Sequence, residues 1–313
     1  MIYMKKVMLN IVSFMLTAVS LVYAGNTADL NKIIQNYKDA SRKTVLVAAH
    51  RGAHRSHPEN SISAINAAIT LGVDIVEIDV RETKDGQLVL LHDATVDRTT
   101  NGSGSVYQFT LEELKKLHLK MPDGTITGET IPTLKEAMLA ASGKIIVNLD
   151  KSEDILEECI RVLKQTDTES QAILKGNCNP YKVKAILKKY NSNSFFMPLI
   201  ASYSKSADTK ACKQLQENTK ILCPQSVELV FKENDTCLLS QPSLEIAKQD
   251  DIRLWCNTLV DIGAGDSNEH DDQKALTDPD NSWGWLIKKG ISIIQTDEPE
   301  ILLEYLRTKG LHD

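Results

Sequence analysis

The chain has 313 residues, 42% of them hydrophobic, so it can bury a full core and suits one large domain better than two small ones. Its formal net charge is −6 and it has no run of basic residues, which argues against a surface that follows nucleic acid. Aromatic residues make up only 5% of the chain, too few to indicate a platform for base stacking. We therefore expect no nucleic-acid partner.

The N-terminus has the pattern of an export signal. Two lysines precede an apolar stretch over residues 7–21, which ends at Ala24 in a small-x-small cleavage pattern. A membrane anchor is the alternative, but four polar residues interrupt the stretch and no stop-transfer charges follow it. We expect a signal peptide over residues 1–24, then one domain over residues 25–313 with no stable membrane span and a periplasmic or secreted location.

Eight short apolar runs of strand length follow, separated by amphipathic stretches of helix length. The predicted strands cover residues 45–49, 74–80, 144–150, 172–175, 195–200, 227–231, 253–259 and 291–295. Such near-continuous apolar runs are typical of parallel strands buried on both faces. Eight strand-helix units favour an α/β fold of the TIM (β/α)8 barrel type over an open doubly wound sheet. Residues 87–92 follow a turn signal and predict a hairpin return on the second strand.

Polar motifs occur in a fixed order at the ends of the first two predicted strands. They are Ala49-His50-Arg51-Gly52, Pro58-Glu59-Asn60-Ser61, Glu77-Ile78-Asp79, His92-Asp93 and Arg98-Thr99-Thr100. In a barrel of this type, the strand ends at one rim carry the active groups. Glu77 and Asp79 are two positions apart and point the same way, which is costly unless a cation or a proton lies between them. Their oxygens suit Mg²⁺ or Ca²⁺, and the alternative is a basic partner on a neighbouring strand.

His50 and His92 each end an apolar run close to this carboxylate pair. Ester cleavage at phosphorus needs a base for the nucleophile and an acid for the leaving alkoxide, and imidazole titrates in the useful range. We predict that these two histidines are the acid-base pair, with the division of roles open. Arg51 can hold the phosphate through its planar fork of donors, or it can form an ion pair at the rim.

The motif series resembles the glycerophosphodiester phosphodiesterase family, and the resemblance extends over about residues 45–306. Ile131-Pro132-Thr133-Leu134 and Gln295-Thr296-Asp297-Glu298-Pro299 continue it. The resemblance implies a barrel of the PLC-like phosphodiesterase type and a metal-dependent hydrolase that converts glycerophosphodiesters to an alcohol and glycerol 3-phosphate. It implies acid-base roles for the histidines that match His50 and His92. It also implies that Glu59 lies by the substrate, although a helix-dipole role explains this residue nearly as well.

The third predicted strand departs from the family pattern. The family carries Glu-x-Lys there, the Glu as third metal ligand, whereas this chain reads Asn148-Leu149-Asp150-Lys151. If Asn148 and Asp150 point inward, Asp150 is the third ligand, Asn148 offers a neutral oxygen in the substrate pocket, and Lys151 faces the helices unless a bulge turns it inward. Lys175, at the end of the fourth strand, can then bind the phosphate, with a solvated strand terminus as the equal alternative.

Three features farther along the chain are less specific. Trp255 resembles the family's site-lining tryptophan, so we expect it in the substrate pocket. The acidic stretch over residues 261–281 forms either a lid or a solvated loop. The six cysteines permit disulfides in an exported chain, and burial as small hydrophobic residues fits equally well.

The expected partner is a small-molecule phosphodiester substrate, and two other functions of the protein remain open. A phospholipase-like or inositol-phosphodiester hydrolase on the same barrel would explain the altered third strand, but no strong amphipathic helix for membrane docking follows the signal. A phosphate-binding protein without turnover would also explain the loss of Glu-x-Lys. The intact set of histidines, Arg51 and paired carboxylates argues against this second alternative.

Overall fold

The structure is a computed structural model that describes residues 29–232, 234–260 and 270–313. The expected signal peptide and the first part of the expected lid lie outside these residues. The described strands, in chain order, are β1 (Leu46–Ala49), β2 (Ile75–Glu82), β3 (Leu88–Leu90), β4 (His118–Lys120), β5 (Ile126–Thr130), β6 (Ile146–Asp150), β7 (Ala172–Gly176), β8 (Phe195–Ser202), β9 (Ser226–Phe231), β10 (Arg253–Asn257) and β11 (Ile291–Thr296).

The described helices lie between these strands. In chain order they are α1 (Leu30–Lys38), α2 (Ile62–Leu71), α3 (Leu111–Leu114), α4 (Leu134–Ala141), α5 (Leu156–Thr166), α6 (Pro180–Lys189), α7 (Lys205–Leu222), α8 (Gln241–Gln249), α9 (Asp272–Ala275), α10 (Trp283–Lys288) and α11 (Pro299–Thr308). Within the described residues, no helix combines the length and the apolar character that crossing a membrane requires.

Eight of the strands form a closed parallel barrel, which confirms the predicted TIM-type fold. Neighbours pair in the order β1, β2, β6, β7, β8, β9, β10 and β11, and β11 pairs with β1 to close the ring. Each of the eight predicted apolar runs overlaps one barrel strand. The predicted hairpin return is also present, because β3 pairs antiparallel with β2. The β4–β5 hairpin, which the sequence analysis did not predict, belongs to an insertion after β3 with its own small core.

Local signals explain where the helices begin and end. The Ser61 hydroxyl accepts a hydrogen bond from the Ala64 N–H at the start of α2, and Gly72, with a φ of 80°, ends that helix in the left-handed region. A full capping box formed by Thr133 and Glu136 starts α4. These caps fix the lengths of the helices that surround the barrel.

The barrel interior is apolar at the amino-terminal ends of the strands. Its floor consists of Leu46, Ala48, Ile75, Ile146, Ile173, Phe195, Met197, Trp255 and Ile293, with Ile33 and Tyr37 of α1 packed below them. The Tyr37 hydroxyl lies 2.7 Å from Ser226 Oγ. The fully buried Arg253 guanidinium donates to the carbonyl oxygens of Asn36 and Asp39. Helix α1 therefore closes this end, and the polar chemistry lies at the opposite rim.

One disulfide occurs among the described cysteines. Cys212 of α7 is bonded to Cys237, which follows β9. Cys159 and Cys178 have free thiols, as does the exposed Cys223. The disulfide interpretation therefore holds for one pair, and burial as a small hydrophobic residue holds for Cys159.

Candidate active site at the carboxyl ends of the strands

Three carboxylates lie together inside the barrel rim. Parallel pairing of β2 with β6 sets Glu77 beside Asn148 and Asp79 beside Asp150. Oxygen atoms of Glu77, Asp79 and Asp150 all lie within 4.8 Å of one another. Because side chains alternate along a strand, these inward groups share their strands with Ile78 and Leu149, which pack outward in the core. The structure thus brings together all three residues that were predicted as metal ligands.

Glu77 carries the strongest electrostatic perturbation of the three. It is 1% exposed, and its Oε2 accepts a hydrogen bond of 2.9 Å from the Arg51 backbone N–H. Its Oε1 is buried and has no hydrogen-bond partner among the described residues. Burial, followed by the charges of Asp79 and Asp150, raises the pKa of Glu77 well above its ordinary value. The cluster therefore has a buried acceptor without a donor at Glu77, which a bound cation would satisfy.

Asp79 is held in its ionised form by its neighbours. Its Oδ2 accepts a 2.8 Å hydrogen bond from Asn60 Nδ2, and its backbone N–H donates to Asn60 Oδ1. Lys151 Nζ lies 2.9 Å from Asp79 Oδ1. Burial alone would raise the pKa of Asp79, but the charges of Lys151, His92 and Arg51 hold it below its usual value. Asn60 thus has a structural role at the site beyond the start of α2.

The expectation that Lys151 faces the helices is wrong. This residue has a φ of 57°, in the left-handed region, immediately after β6. The change in backbone direction brings its ammonium to the rim, 2.9 Å from Asp79 Oδ1 and 3.9 Å from Asp150 Oδ2. Burial would lower the pKa of Lys151, but the charges of Asp79 and Asp150 raise it. A local irregularity, allowed for in the sequence analysis, thus turns the lysine inward.

Lys175 lies deeper than expected. Its side chain is 3% exposed, so it is not a solvated strand terminus, and its Nζ lies 3.0 Å from Glu228 Oε2 and 3.3 Å from Asp150 Oδ2. Burial would lower its pKa, but the surrounding carboxylates raise it. Glu228, which the sequence analysis missed, also accepts a 2.9 Å hydrogen bond from Asn257. Its signal was a single acidic residue at an inward position of an apolar strand.

His50 follows β1 and is oriented by an aspartate that directly follows the last strand, β11. Its Nδ1 lies 2.7 Å from Asp297 Oδ1, and the two side chains are 7% and 9% exposed. Burial lowers the pKa of His50, and the hydrogen bond to Asp297 only partly offsets it. Asp297 is held in turn by its backbone N–H, which donates to Asp272 Oδ2. Asp297 was not among the predicted site residues, although its place in the motif Gln295-Thr296-Asp297-Glu298-Pro299 was a signal.

His92 lies across the rim from the β1 loop, after β3. Its Nδ1 lies 2.7 Å from Asp93 Oδ1, and its side chain is 26% exposed. Arg98 binds the same aspartate and, with Nη1, lies 2.6 Å from Glu59 Oε2. Both His50 and His92 line one cavity at the mouth of the barrel. The two predicted acid-base residues are therefore brought together.

Arg51 and Glu59 form an ion pair beside the acidic cluster. Arg51 Nη1 lies 3.2 Å from Glu59 Oε1, and its buried Nε has no hydrogen-bond partner among the described residues. Burial would raise the pKa of Glu59, but the bond to Arg98 and the charge of Arg51 lower it. Gly52 keeps this loop close to α2, because a Cβ there would lie 2.7 Å from Ala64 Cβ. Glu59 thus binds Arg51 and Arg98 and lines the cavity beside them.

The other two residues expected in the substrate pocket are fully buried. Asn148 donates a 3.3 Å hydrogen bond to the Ile173 carbonyl, while its Oδ1 has no hydrogen-bond partner in the described part of the chain. Trp255 is 0% exposed and belongs to the barrel floor, so it differs from the expected site-lining position. Its Nε1 donates to Asn257 Oδ1 at 2.8 Å. Trp255 therefore supports Asn257 from below.

Two cavities adjoin the cluster and share His50. The mouth cavity has a volume of about 110 Å³, and its lining includes His92, Lys151, Leu199, Glu228, Asn257 and Gln295. The hairpin cavity has a volume of about 300 Å³, and its lining includes Arg51, Arg55, Glu59, Arg98, Lys120 and Met121. Asp150 of the acidic cluster lines the mouth cavity, and Arg51, whose backbone N–H binds Glu77, lines the hairpin cavity.

Comparison with known proteins gives a consistent result. The family model described as the glycerophosphoryl diester phosphodiesterase family matches residues 50–233, more than half of the chain, and a model described as a domain of unknown function matches residues 196–306. The glycerophosphodiester phosphodiesterase of Caldanaerobacter subterraneus subsp. tengcongensis is 42% identical over 151 residues, which are 46% of this chain and 62% of that protein. The chain spans less than two thirds of the length of this curated relative.

Solved structures share the fold. A glycerophosphoryl diester phosphodiesterase from Parabacteroides distasonis superposes with a TM-score of 0.66 at 24% identity, over 90% of this chain and 93% of that one. A phosphodiesterase from Oleispira antarctica, in complex with the product sn-glycerol-3-phosphate, has a TM-score of 0.60 at 24% identity, over 86% of this chain and 99% of its own. At this level of identity, the likeness establishes a common barrel architecture.

Proposed function

Because the chain belongs to the glycerophosphoryl diester phosphodiesterase family, we propose that it hydrolyses a glycerophosphodiester to an alcohol and glycerol 3-phosphate. The observation that carries this proposal is the Glu77, Asp79 and Asp150 cluster, next to Arg51 and beside a cavity that Asp150 and both histidines line. The Oleispira phosphodiesterase in complex with sn-glycerol-3-phosphate supports this class of substrate.

We propose that Glu77, Asp79 and Asp150 hold a divalent cation, Mg²⁺ or Ca²⁺. Their carboxylate oxygens are hard ligands of the type that these ions prefer. The unpartnered Oε1 and the raised pKa of Glu77 fit a position where a cation replaces a proton. When bound, the ion supplies Lewis-acid stabilisation of the charge that develops on the phosphate oxygens. Asn148, with its free Oδ1 beside Glu77, offers a further neutral oxygen.

Arg51 is the principal phosphate-binding group in this proposal. Arg51 lines the hairpin cavity, so its guanidinium can donate to a phosphate oxygen while Nη1 binds Glu59 and Nε lies 3.6 Å from Asp79 Oδ2. Of the two lysines we assign phosphate contact to Lys151, whose side chain is 24% exposed. The side chain of Lys175 is only 3% exposed, and its ammonium is already paired with the carboxylates of Asp150 and Glu228. Phosphate binding by Lys175 itself stays a prediction.

The hydrogen bonds of the histidines suggest their separate roles. When His50 Nδ1–H donates a hydrogen bond to Asp297, the neutral ring keeps this proton and carries its lone pair on Nε2, and burial favours that neutral state. We therefore assign His50 as the base that takes the proton of the nucleophile as the new P–O bond forms. His92, oriented by Asp93, gives a proton to the alcohol oxygen as the old P–O bond breaks.

The test is release of glycerol 3-phosphate from a panel of glycerophosphodiesters by residues 25–313, with Mg²⁺, Ca²⁺ or EDTA. Glu77→Ala should abolish metal-dependent release. Glu82 is the last residue of the same strand, β2, and Glu82→Ala should retain metal-dependent release, so it serves as the matched control. If no diester is cleaved with any metal, the proposal is wrong, and lipid or inositol phosphodiesters and then plain phosphate binding become the hypotheses to test.

We also propose that the protein is exported to the periplasm or secreted after cleavage near Gly25. The Cys212–Cys237 disulfide supports this location, because structural disulfides persist mainly in oxidising compartments. N-terminal sequencing of the protein recovered outside the cytoplasm should begin near Gly25. An intact Met1 on protein that stays with the cytoplasmic fraction would contradict export.

A further inference from the structure

The two cavities that share His50 provide separate places for the two arms of a phosphodiester. A diester has one phosphorus and two organic substituents, and in the proposed function the phosphorus lies at the acidic cluster. His50 is common to the linings of the two cavities, Asp150 and Lys151 line the mouth cavity, and Arg51 lines the hairpin cavity, so a phosphate held by these residues borders both cavities. Each arm can therefore occupy one cavity.

The mouth cavity suits the glycerol arm. Its volume of about 110 Å³ is the smaller of the two, and apolar Leu199 and Val230 line it together with hydrogen-bonding side chains. Gln295 is 2% exposed, and its Oε1 has no hydrogen-bond partner among the described residues. A buried acceptor without a donor is costly, and a glycerol hydroxyl would supply the missing donor.

The hairpin cavity is left for the body of the alcohol arm, while the oxygen that His92 protonates is bonded to the phosphorus, beside the mouth cavity that His92 lines. Its volume of about 300 Å³ is larger, and the β4–β5 hairpin contributes Lys120, Met121 and Pro122 to one wall. The opposite wall comes from the loop after β1 and includes Arg55. An alcohol with a polar substituent can therefore reach from the phosphorus toward the hairpin.

The cations of this cavity differ in how far they are neutralised. Arg55 lies 2.9 Å from Glu298, and Arg98 bonds to both Glu59 and Asp93. Lys120, by contrast, donates a 3.1 Å hydrogen bond to the backbone carbonyl of Asp97 and has no carboxylate within ion-pair distance among the described residues. The Asp97 carboxylate itself is engaged by the Ser103 hydroxyl and the Gly104 N–H.

From this arrangement we infer, on the basis of the proposed function, that the hairpin cavity binds the alcohol arm and that Lys120 favours alcohols with an anionic group. A carboxylate or phosphate on the alcohol gives the Lys120 ammonium its missing counter-ion. A quaternary amine in the same place meets a like charge. The specificity of the enzyme for the alcohol is thus set by the hairpin inserted after β3.

Two substrates that differ by a single carboxylate test this inference. Glycerophosphoserine has the amine of glycerophosphoethanolamine and one carboxylate in addition. The wild-type kcat/KM for glycerophosphoserine should exceed that for glycerophosphoethanolamine by about three- to fivefold, the effect of a partly exposed charge pair. Lys120→Ala should bring the ratio close to one, and Lys120→Glu should invert it. Lys135→Glu, an equal charge change at an exposed position of α4, should leave the ratio at its wild-type value.

The outcomes separate the inference from the proposed function. If both substrates are cleaved and Lys120→Glu leaves their kcat/KM ratio unchanged while the variant melts like the wild type, the assignment of Lys120 is wrong and the proposed function stands. If the wild type cleaves neither substrate with any metal, nor any other glycerophosphodiester, the proposed function fails and the inference falls with it.

Discussion

Replacing Asp297 with Asn tests whether this carboxylate orients His50 for proton transfer. Asp297 Oδ1 lies 2.7 Å from His50 Nδ1, with both side chains less than 10% exposed. A hydrogen bond to a charged group contributes about 1.5–3 kcal/mol, which corresponds to about a 10- to 150-fold loss of rate if it acts in the transition state. We expect kcat to fall within this range while KM changes little, because the phosphate contacts of Arg51 are untouched.

The pH profile gives a second readout with a definite sign. Burial lowers the pKa of His50 and Asp297 raises it, so removal of the carboxylate lowers the pKa further. If His50 is the base, activity is lost as the pH falls through this pKa, and the acidic limb of kcat/KM moves to lower pH in Asp297→Asn. If His50 were the acid, the alkaline limb would move to lower pH instead.

The matched control is Glu298→Gln, which removes the adjacent carboxylate but leaves the His50 contact in place. Glu298 binds Arg55 at 2.9 Å. Its variant should keep the wild-type pH profile. An Asp297→Asn profile whose limbs do not move, or move to higher pH, refutes the orientation argument, even if overall activity falls.

Three further predictions concern the stability of the fold. Because the pKa of Glu77 is raised above its ordinary 4.5, the metal-free protein should lose stability as the pH rises above that value. Thermal melting of Glu77→Gln should show neither this loss nor the rise in Tm that Mg²⁺ or Ca²⁺ gives to the wild type. Arg253→Met leaves carbonyl groups at the barrel floor without donors and should lower the free energy of unfolding in urea by about 3–5 kcal/mol, whereas Arg161→Met on the surface should change it by less than about 1 kcal/mol. Because Cys212 and Cys237 are 25 residues apart, replacing both with Ser should lower the free energy of unfolding by about 3 kcal/mol and leave kcat unchanged. A fall in kcat in the double variant would contradict a purely structural disulfide, and Cys223→Ser, which removes a free thiol, is the control.

The sequence was most informative where a simple periodicity determined the outcome. Near-continuous apolar runs located the eight barrel strands, and two-residue alternation set Glu77, Asp79, Asn148 and Asp150 on the inner face. Motif order then located His50 and His92 at the same rim. The positions of these residues were predictable because each depends only on the strand that carries it and on the alternation of side chains along that strand.

The missed features depend on contacts between distant strands or on one backbone angle. Asp297 reaches His50 only because β11 closes against β1. Lys175 meets Glu228 across the intervening β8, a contact that neither strand reveals alone. The inward turn of Lys151 results from a positive φ, which no residue type at that position indicates. The β4–β5 hairpin has strands of only a few residues, too short for a clear periodic signal.

The Lys175–Glu228 ion pair has a consequence for how this chain can change over evolutionary time. Both groups are nearly inaccessible to water, so losing Lys175 alone leaves Glu228 as an unpaired buried charge that costs about 3–5 kcal/mol, whereas Lys175 keeps Asp150 at 3.3 Å when Glu228 is lost. A lineage that replaced Lys175 first would pass through a poorly folding ancestor, while replacing Glu228 first, or both together, avoids that barrier. In relatives that share this barrel interior, the residue types at positions 175 and 228 should therefore covary, with the glutamate retained only where the lysine is retained.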